Sequence, residues 1–494
     1  MAGKKQVDDD APRIEPLPIE RLNDAALYGI AGAVVRMLAP CSESDEASLL
    51  LQFLTLAGNM IGRKARKMVD ASRHGANLYA LIVGKTSQAR KGSGYAGVID
   101  VVKTVDATGW ATRSGLASGE GVIYHLRDAT TKDPGVADKR AMFVEQEFAR
   151  LLTVADRKGN ILSSILRLGF DTGQLDNLVK NSPDRATDVH MSVIGHITPQ
   201  ELRELLTNVY IADGFANRFI LCLACRTKII PNPIAPPTAT LKAVLERLVE
   251  AVNLAAQIGE MQFSAEGLFY WQLIYGRLSL PNRTGLVAAL LARAEAKVLR
   301  LAIVYALLDG KKEIGQEHLK ASCAVWEYSE RSAYFIFKDA IGQSDADVIL
   351  TALRDAGDAG LNETQINGLF AGGRPALALT QARQLLLENR LAAVTVEEKG
   401  KGSLGGPRVK RWRATSKTSG IVESRYLPLF ETPLPSAAQL KKLKSIEEIN
   451  AKVRAANEAV KEEIRNRRFE KLRGNETQGE QTLKETDDEK KNAA

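Results

Sequence analysis

The chain has little cysteine and little histidine: four of its 494 residues are cysteine and five are histidine. Four cysteines do not indicate a disulfide framework, which favours a reducing compartment. Cys222 and Cys225 form a C-x-x-C pair within the apolar run FILCLACR, but the sequence has no second pair and no histidine close by. We therefore interpret them as buried strand cysteines rather than zinc ligands.

Long apolar runs are also lacking. No apolar stretch reaches the roughly 18 residues of a membrane-spanning helix, and the N-terminal MAGKKQVDDDAPRIEP has no apolar signal core. We expect a cytoplasmic protein with no membrane partner. A composition that is 45% hydrophobic and 26% charged is ordinary for globular proteins, and the net charge of +8 mildly favours acidic partners such as nucleic acid.

The length predicts two or three domains, because a single core rarely grows this large. Changes in composition and hydrophobic period divide the chain further. The predicted divisions are a disordered segment (1–16), an N-terminal helical region (17–75), an α/β core (76–230), a helical domain (231–340), a DNA-binding segment (341–415), a linker (416–435), a long charged helix (436–473) and a disordered tail (474–494).

The predicted core alternates short apolar runs with helix-like segments. The apolar runs are LYALIVG (78–84), AMFVEQ (141–146), HMSVIGHI (190–197) and NRFILCLA (217–224). Apolar strands joined by helical crossovers are typical of a parallel sheet covered by helices on both faces. The fold class is therefore predicted to be α/β in this region.

A glycine-containing basic loop, VGKTSQARKGSG, follows the first predicted strand and precedes a helix-like run. Strand, glycine loop and helix form a phosphate-binding loop in many proteins. The usual spelling G-x-x-x-x-G-K-[ST] is absent: counting from Gly84, Ala89 occupies the place of the second glycine and Arg90 that of the lysine. A solvent-exposed basic turn is the alternative interpretation.

The loop has the required residue types if it is one residue longer than usual. A nucleoside triphosphate needs backbone N–H groups, an ammonium group and a hydroxyl that holds Mg²⁺. Lys91 would contact the β and γ phosphates, Gly92 would let the backbone approach, and Ser93 would ligate Mg²⁺, with Arg90 adding charge. Lys85 is the second candidate for the lysine, although it follows the strand too early to lie at the helix N-terminus.

Two acids, Glu145 and Glu147, stand at the end of the second predicted strand, in AMFVEQEFARLL. A carboxylate at the carboxyl end of a strand beside a phosphate loop can bind Mg²⁺ or activate an attacking water. We assign Glu145 to metal binding and Glu147 to activation of the water. The reverse assignment is the alternative. Glu147 would alternatively favour a helix N-terminus through the helix dipole.

Polar residues also follow or precede the remaining strands. His196 stands where a side chain can sense a γ-phosphate, whereas Thr198 is better interpreted as a helix N-cap followed by Pro199. Arg218, in DGFANRFIL, would act as an arginine finger that reaches the nucleotide of a neighbouring subunit. A structural salt bridge is the alternative for Arg218.

Five phrases, in order, resemble one protein family: VGKTSQARKGS, SGLASGEGVIYHLRD, VEQEFARLL, GHITPQEL and GFANRF. The resemblance covers about residues 17–415. The family comprises bacterial and phage-related P-loop ATPases, many of them encoded beside, or fused to, primase domains on mobile elements. The resemblance implies a helicase-like nucleotide-binding core, ATP and Mg²⁺ as cofactors, a replication context and a possible primase partner.

The segment RAEAKVLR (293–300) is similar to the helical lid of AAA+ replicative helicases. The likeness implies that Arg293 senses the γ-phosphate and that Arg300 is a second arginine of the lid. Together with GFANRF it favours an AAA+-like core over a RecA-like core, and a homo-oligomer such as a hexameric ring. A charged face on a packed helix is the alternative.

Residues 341–415 have the pattern of a winged helix-turn-helix: three helices, then two short strands around a glycine-rich turn. The basic residues concentrate on the wing, so contact with the DNA backbone is better supported than base reading; a protein-binding role is the alternative. The candidate DNA-binding residues are Arg374, Gln381, Arg383 and Gln384 on or beside the third helix, and Lys401, Arg408, Lys410 and Arg411 on the wing.

These patterns together predict a P-loop NTPase core with a helical domain and a winged helix-turn-helix. The predicted function is that of an ATP-dependent, DNA-acting ATPase, helicase-like, in the replication of a mobile element. Two alternatives remain: a non-enzymatic DNA-binding initiator or regulator with a degenerate nucleotide fold, and a nucleotide-gated loader or scaffold for a primase or helicase.

Overall fold

A computed structural model describes residues 16–105, 110–177, 184–206, 213–279, 285–337, 344–370, 373–388, 391–397 and 409–415, together with Leu429. The predicted long charged helix (436–473) and tail (474–494) lie outside these residues, as do the segment 1–15 and the linker 416–435 apart from Leu429. Lys401 and Arg408, predicted on the wing, also lie outside the described residues.

The strands are numbered in chain order. They are β1 (Arg66–Val69), β2 (Ser72–Gly75), β3 (Tyr79–Val83), β4 (Thr112–Arg113), β5 (Arg140–Glu145), β6 (Leu175–Asn177), β7 (Asp184–Ala186), β8 (His190–Ile197), β9 (Phe219–Leu223), β10 (Gln262–Phe263), β11 (Glu313–Ile314), β12 (Leu361–Asn362), β13 (Ala392–Glu397) and β14 (Val409–Ala414).

The first helices are numbered in the same way, and the later ones are named by their bounds. They are α1 (Gly29–Leu38), α2 (Glu46–Ile61), α3 (Lys91–Lys103), α4 (Gly119–Tyr124), α5 (Phe148–Ala155), α6 (Leu162–Asp171) and α7 (Pro199–Leu205), followed by Thr238–Ala255, Ala265–Ser279, Gly285–Leu290, Ala294–Leu308, Gln316–Phe337, Ser344–Asp355, Glu363–Gly368 and Ala376–Glu388.

A five-stranded parallel sheet flanked by helices forms the centre of the α/β core, in the order β4-β5-β8-β3-β9. The four strands predicted from the apolar runs are confirmed, whereas the two-residue strand β4 was not predicted. The chain leaves β3 for the far edge, returns strand by strand to β8, and then passes over β3 to form β9. The crevice at the carboxyl ends of the strands beside β3 is therefore the expected ligand site of such a sheet.

The central strands are buried along their whole length, as every residue of β3 and of β8 shows. Their continuous apolar runs fit this position, because strands covered on both faces do not alternate with polar residues. Helix α2 is fixed to the sheet by Asn59, whose amide donates to the carbonyl oxygens of Ala141 at 3.2 Å and His190 at 3.0 Å. These bonds hold α2 across β5 and β8.

Local capping follows the sequence closely. Asp45 caps α2, its carboxylate accepting from the Ser48 N–H at 2.8 Å. Thr198 caps α7 in a capping box with Glu201, which confirms the cap that the sequence favoured at Thr198. Each cap satisfies N–H groups that a helix start leaves without intrahelical partners.

The described residues between Thr238 and Phe337 are mainly helical, as the sequence predicted, with one short parallel pair, β10 and β11, that it did not predict. Helix Ala294–Leu308 is buried on nearly every side. Arg300, only 2% exposed, donates to the backbone carbonyl of Phe170 at 2.9 Å and lies over that ring. Arg300 is thus an internal packing residue that joins this helix to the α/β core.

Residues 344–415 contain the three helices and the strand pair that the sequence predicted, and have their own apolar core around Trp412. The strands form an antiparallel sheet in the order β12-β14-β13. The two-residue strand β12 was not predicted. Asn362 caps the helix Glu363–Gly368 in a capping box with Gln365.

Among the described residues, no helix combines the length and the apolar character that crossing a membrane requires.

Candidate functional site

A cavity of about 540 Å³ lies at the carboxyl ends of β3, β5 and β8. Three chain segments that follow these strands meet there, as expected for parallel strands with a common direction. The lining residues are Lys85, Thr86, Ser87, Arg90, Lys91, Gly92, Ser93, Gln146, Glu147, Ala149, Arg150, His196, Ile197, Thr198 and Glu201.

The loop after β3 turns sharply at Gly84, which is buried. A Cβ atom there would lie 2.5 Å from the carbonyl oxygen of Ala224, so no larger residue fits without moving the backbone. The loop ends at Arg90, whose φ of 52° lies in the left-handed region, and α3 begins at Lys91. No described side chain caps α3, so its first N–H groups face the cavity side without a side-chain partner and favour an anion.

Lys91 is the first residue of α3, and its Nζ donates to the backbone carbonyl of Gly84. Burial lowers the pKa of Lys91 to about 8, although the carboxylate of Glu201 acts in the opposite direction. Lys85 also lines the cavity but is exposed. Both lysines named from the sequence therefore border the cavity, and Lys91 is the one at the helix start.

Gly92 and Ser93 are exposed and line the same cavity. A Cβ at Gly92 would meet no described atom within 4 Å, so the protein itself does not require glycine there. A phosphate bound close to the backbone at Gly92 would leave no room for a side chain and so would require glycine there. Ser93 presents the hydroxyl that the sequence assigned to Mg²⁺.

The two acids of AMFVEQEFARLL differ in their surroundings. Glu147 is exposed and lines the cavity at the start of α5. Glu145 is 5% exposed, and its carboxylate accepts from the backbone N–H of Leu116 at 2.8 Å. Of the pair, only Glu147 belongs to the described cavity wall, because β5 ends at Glu145 and the chain has left the strand and turned into α5 at Glu147.

His196 lies at the end of β8 and is 3% exposed, yet it lines the cavity. Its Nε2 is 2.9 Å from Oε1 of Gln52, whose Nε2 donates to the backbone carbonyl of Ser48 at 3.1 Å. Gln52 therefore presents an acceptor to His196, so the neutral ring carries its proton on Nε2 and leaves Nδ1 as an acceptor. Burial, with a contribution from Lys91, lowers the pKa of His196 to about 4.

The two arginines assigned to the γ-phosphate lie together, but away from the cavity. Arg218 and Arg293 both pair with Asp171, the latter at 2.7 Å. Arg218 precedes β9 and so lies at the amino edge of the sheet, whereas the cavity is at the carboxyl edge. Arg218 is 6% exposed, while Arg293, just before helix Ala294–Leu308, is exposed.

Several cavity residues were not selected from the sequence. Arg150 lies about one helix turn after Glu147, and Glu201 is the partner of Thr198 in the α7 capping box. Glu43 lies outside the cavity lining but pairs with Arg90 at 2.6 Å and also with Arg226.

The lining of the cavity carries an excess of positive charge. It has four cationic residues (Lys85, Arg90, Lys91, Arg150) and two acidic residues (Glu147, Glu201). This excess favours a polyanion as the ligand.

The predicted DNA-binding residues lie on helix Ala376–Glu388, just before it, and on β14. Arg374 pairs with Asp345 at 3.0 Å, and Arg383 lies 3.9 Å from Glu363. Gln381 is exposed, Gln384 donates to Glu388 at 3.2 Å, Lys410 is exposed, and Arg411 donates to the backbone carbonyl of Ala359 at 3.3 Å. The two arginines near the helix are thus held by acids of the same segment.

Comparison of the chain with models of known protein families found no match, and no curated protein matches it. The resemblance to P-loop ATPases therefore stays a prediction. The described residues also contain no group of three or more histidine, cysteine, aspartate or glutamate side chains that could hold a metal ion.

Proposed function

We propose that this protein is a P-loop-type ATPase that acts on DNA, with the cavity beside β3 as its nucleotide site. One observation carries the proposal: a helix-start lysine, a hydroxyl, a carboxylate and a neutral imidazole converge from the carboxyl ends of three neighbouring parallel strands. Phosphoryl transfer requires little covalent chemistry from a protein, and mainly needs such groups to be correctly placed.

The phosphates would lie against the start of α3. The uncapped N–H groups there, the ammonium of Lys91 and the guanidinium of Arg90 would bind the negative charge. Lys91 would exchange its bond to the Gly84 carbonyl for phosphate oxygens. The loop would thus do the work of a standard phosphate loop with one additional residue.

The residues at the cavity suit Mg²⁺ as a metal bound mainly by phosphate and water. Mg²⁺ prefers oxygen ligands and is commonly held by one or two protein groups plus substrate phosphates, so a three-carboxylate cluster is not needed. Ser93 and Glu147 supply a hydroxyl and a carboxylate in the same cavity. In this proposal Ser93 ligates the metal that is carried by the nucleotide, and Glu147 faces the attacking water.

His196 would act as a hydrogen-bond acceptor or relay at the end of β8, and Glu145 as support for the wall. The low pKa keeps the imidazole neutral at physiological pH, so it adds no positive charge beside Lys91. Glu145 would hold the chain at Leu116 in place rather than bind the metal directly.

An oligomer is proposed from the position of the arginines. A strand of five residues, such as β9, spans about 16 Å, so Arg218 and Arg293 are far from the cavity of their own chain. Arg293, the exposed member of the pair, could therefore serve only the cavity of a neighbouring subunit, whereas the buried Arg218 forms a salt bridge with Asp171, the alternative that the sequence left open for it. Mixing Arg293→Ala subunits with Lys91→Ala subunits tests this point, because sharing of sites across an interface would restore part of the ATP hydrolysis that each variant lacks alone.

DNA binding is proposed for residues 344–415, interpreted as a winged helix-turn-helix. The three helices and antiparallel strands of this segment support that interpretation. Gln381, Gln384, Lys410 and Arg374 are the exposed members of the predicted set among the described residues, and Arg374 and Arg383 are paired with acids. Backbone contact by β14 is therefore the favoured mode. A role in replication of a mobile element, with a primase partner, rests on the family resemblance alone.

The decisive experiment is ATP hydrolysis by the purified full chain in Mg²⁺, with and without single-stranded DNA. The matched variants are Lys91→Ala and Lys85→Ala, since both lysines border the cavity. We expect DNA-stimulated hydrolysis that falls by two orders of magnitude or more in Lys91→Ala and changes little in Lys85→Ala. Absence of hydrolysis in the wild type, with ATP binding intact, would instead favour a nucleotide-gated loader, for which the burial of Glu145 away from the cavity is the supporting observation.

A further inference from the structure

A second cavity, of about 320 Å³, lies at the carboxyl end of β9. It is formed where the chain after β9 meets the start of α2, the N-terminal segment near Leu17 and the helix Gln316–Phe337. Its size is at the lower end of the range for small-molecule sites. It belongs to neither the phosphate cavity nor the arginine pair described above.

The two cavities lie side by side along one edge of the sheet. Strand β9 is the neighbour of β3, and Gly84, at the end of β3, abuts the carbonyl of Ala224. The very next residue, Cys225, lines the second cavity. Glu43 marks the boundary, since it pairs with Arg90 of the first cavity and Arg226 of the second.

The charged residues around the phosphate cavity favour one orientation of a bound nucleotide. On the side of β5 and β8, the phosphate cavity is bordered by Glu147, His196 and Glu201, which are groups suited to metal, water and helix capping. On the side of β9 it is bordered by the Arg90–Glu43–Arg226 contacts and then by the second cavity. A group attached to the α-phosphate would therefore extend toward β9.

The walls of the second cavity suit a flat, partly polar group. Leu17, Leu22, Ala47 and the ring of Tyr328 contribute apolar surface. Ser44 also lines it, is 1% exposed, and has a hydroxyl with no hydrogen-bond partner among the described residues. A buried hydroxyl without a partner is costly, and a ring nitrogen or ribose hydroxyl would satisfy it.

We infer that the second cavity binds the nucleoside part of the triphosphate whose phosphates occupy the first. This inference rests on the proposed function, because it needs phosphates at Lys91. It adds that recognition of the base and ribose depends on the segments Leu17–Leu22, Ser44–Ala47 and Cys225–Lys228, which lie far apart in sequence.

Calorimetric titration in Mg²⁺ tests the inference by comparing a non-hydrolysable ATP analogue with inorganic triphosphate. The variant is Thr227→Trp, since Thr227 is exposed and lines only the second cavity, and Thr227→Val is the matched control. We expect the wild type to bind the analogue at least about tenfold more tightly than triphosphate. Thr227→Trp should remove this difference by weakening the analogue alone, and Thr227→Val should preserve it.

The outcomes separate this inference from the proposed function. If the wild type binds the analogue and triphosphate equally, the nucleoside makes no contact and the inference is wrong, while the phosphate site stands. If it binds neither, both proposals fail. Photolabelling with 8-azido-ATP provides a readout that does not depend on how a variant folds: label in residues 16–22, 44–47 or 225–228 supports the inference, and label confined to residues 146–150 or 196–201 overturns it.

Discussion

The lowered pKa of Lys91 predicts an unusual pH dependence of triphosphate binding. An ordinary lysine keeps its charge up to a pH near 10, but burial places the pKa of Lys91 at about 8. Only the charged ammonium attracts phosphate strongly. Binding should therefore weaken as the pH rises through 8, and at that pH it should be accompanied by proton uptake, because bound phosphate raises the pKa of the lysine.

The size of the effect follows from the charged fraction. With a pKa of about 8, the charged fraction of Lys91 falls from about three quarters at pH 7.5 to about 3% at pH 9.5. If only the charged form binds, affinity decreases about twentyfold over this interval. His196 does not contribute, because its pKa of about 4 keeps it neutral throughout.

Calorimetric titration of inorganic triphosphate at pH 7.5, 8.5 and 9.5 measures this decrease, and buffers of different ionisation enthalpy measure the proton uptake at pH 8. Lys91→Arg is the control, since a guanidinium remains charged over the whole interval. Any titration of the ligand affects both proteins equally. An equal pH dependence in the two proteins, or no proton uptake by the wild type, would refute the proposed contact between Lys91 and phosphate.

Three further predictions concern other parts of the molecule. Glu147→Gln should lower ATP hydrolysis by about 10²- to 10⁴-fold with little change in ATP affinity, whereas equal rates in Glu147→Gln and wild type, measured by phosphate release, would remove Glu147 from the chemistry. Thr198→Ala should destabilise the protein to urea by about 1 kcal/mol through loss of the α7 cap; Thr198→Ser should retain the cap, and identical unfolding of all three would contradict the capping argument. Lys410→Ala should lower the slope of log affinity for DNA against log salt by about one, measured by fluorescence anisotropy, and an unchanged slope would exclude a phosphate contact there.

The central strands could be predicted because their signal is local. Buried parallel strands are nearly continuous apolar runs, so β3, β5, β8 and β9 stand out in the sequence with bounds correct to within two residues. The signal for the helix cap at Thr198 was equally local. By contrast, the two-residue strands β4 and β12 exist only because a neighbouring strand pairs with them, and no sequence period can be seen in two residues.

The candidate site was predictable only where one residue directly follows a strand. The rule that functional groups gather at carboxyl ends of parallel strands selected Lys91, Ser93, Glu147 and His196, and the cavity brings these together. The rule could not separate Glu145 from Glu147, since the separation depends on where β5 ends and the chain turns into α5. The bond from the Leu116 N–H to Glu145 joins residues 29 positions apart, and sequence spacing does not reveal such a contact.

The pairing of Arg218 and Arg293 with Asp171 is another long-range contact that sequence spacing does not reveal, and it changes the interpretation of both arginines. Arg293 and Asp171 are 122 positions apart, yet they pair at 2.7 Å beside Arg218. From sequence alone, Arg218 and Arg293 had separate roles, one toward a neighbouring subunit and the other in the lid of its own. Both share the carboxylate of Asp171 at the amino edge of the sheet, but Arg218 is buried there, as the alternative of a structural salt bridge requires. Arg293 is exposed and far from the cavity of its own chain, so an ATPase that used it would have to complete each site with a second subunit.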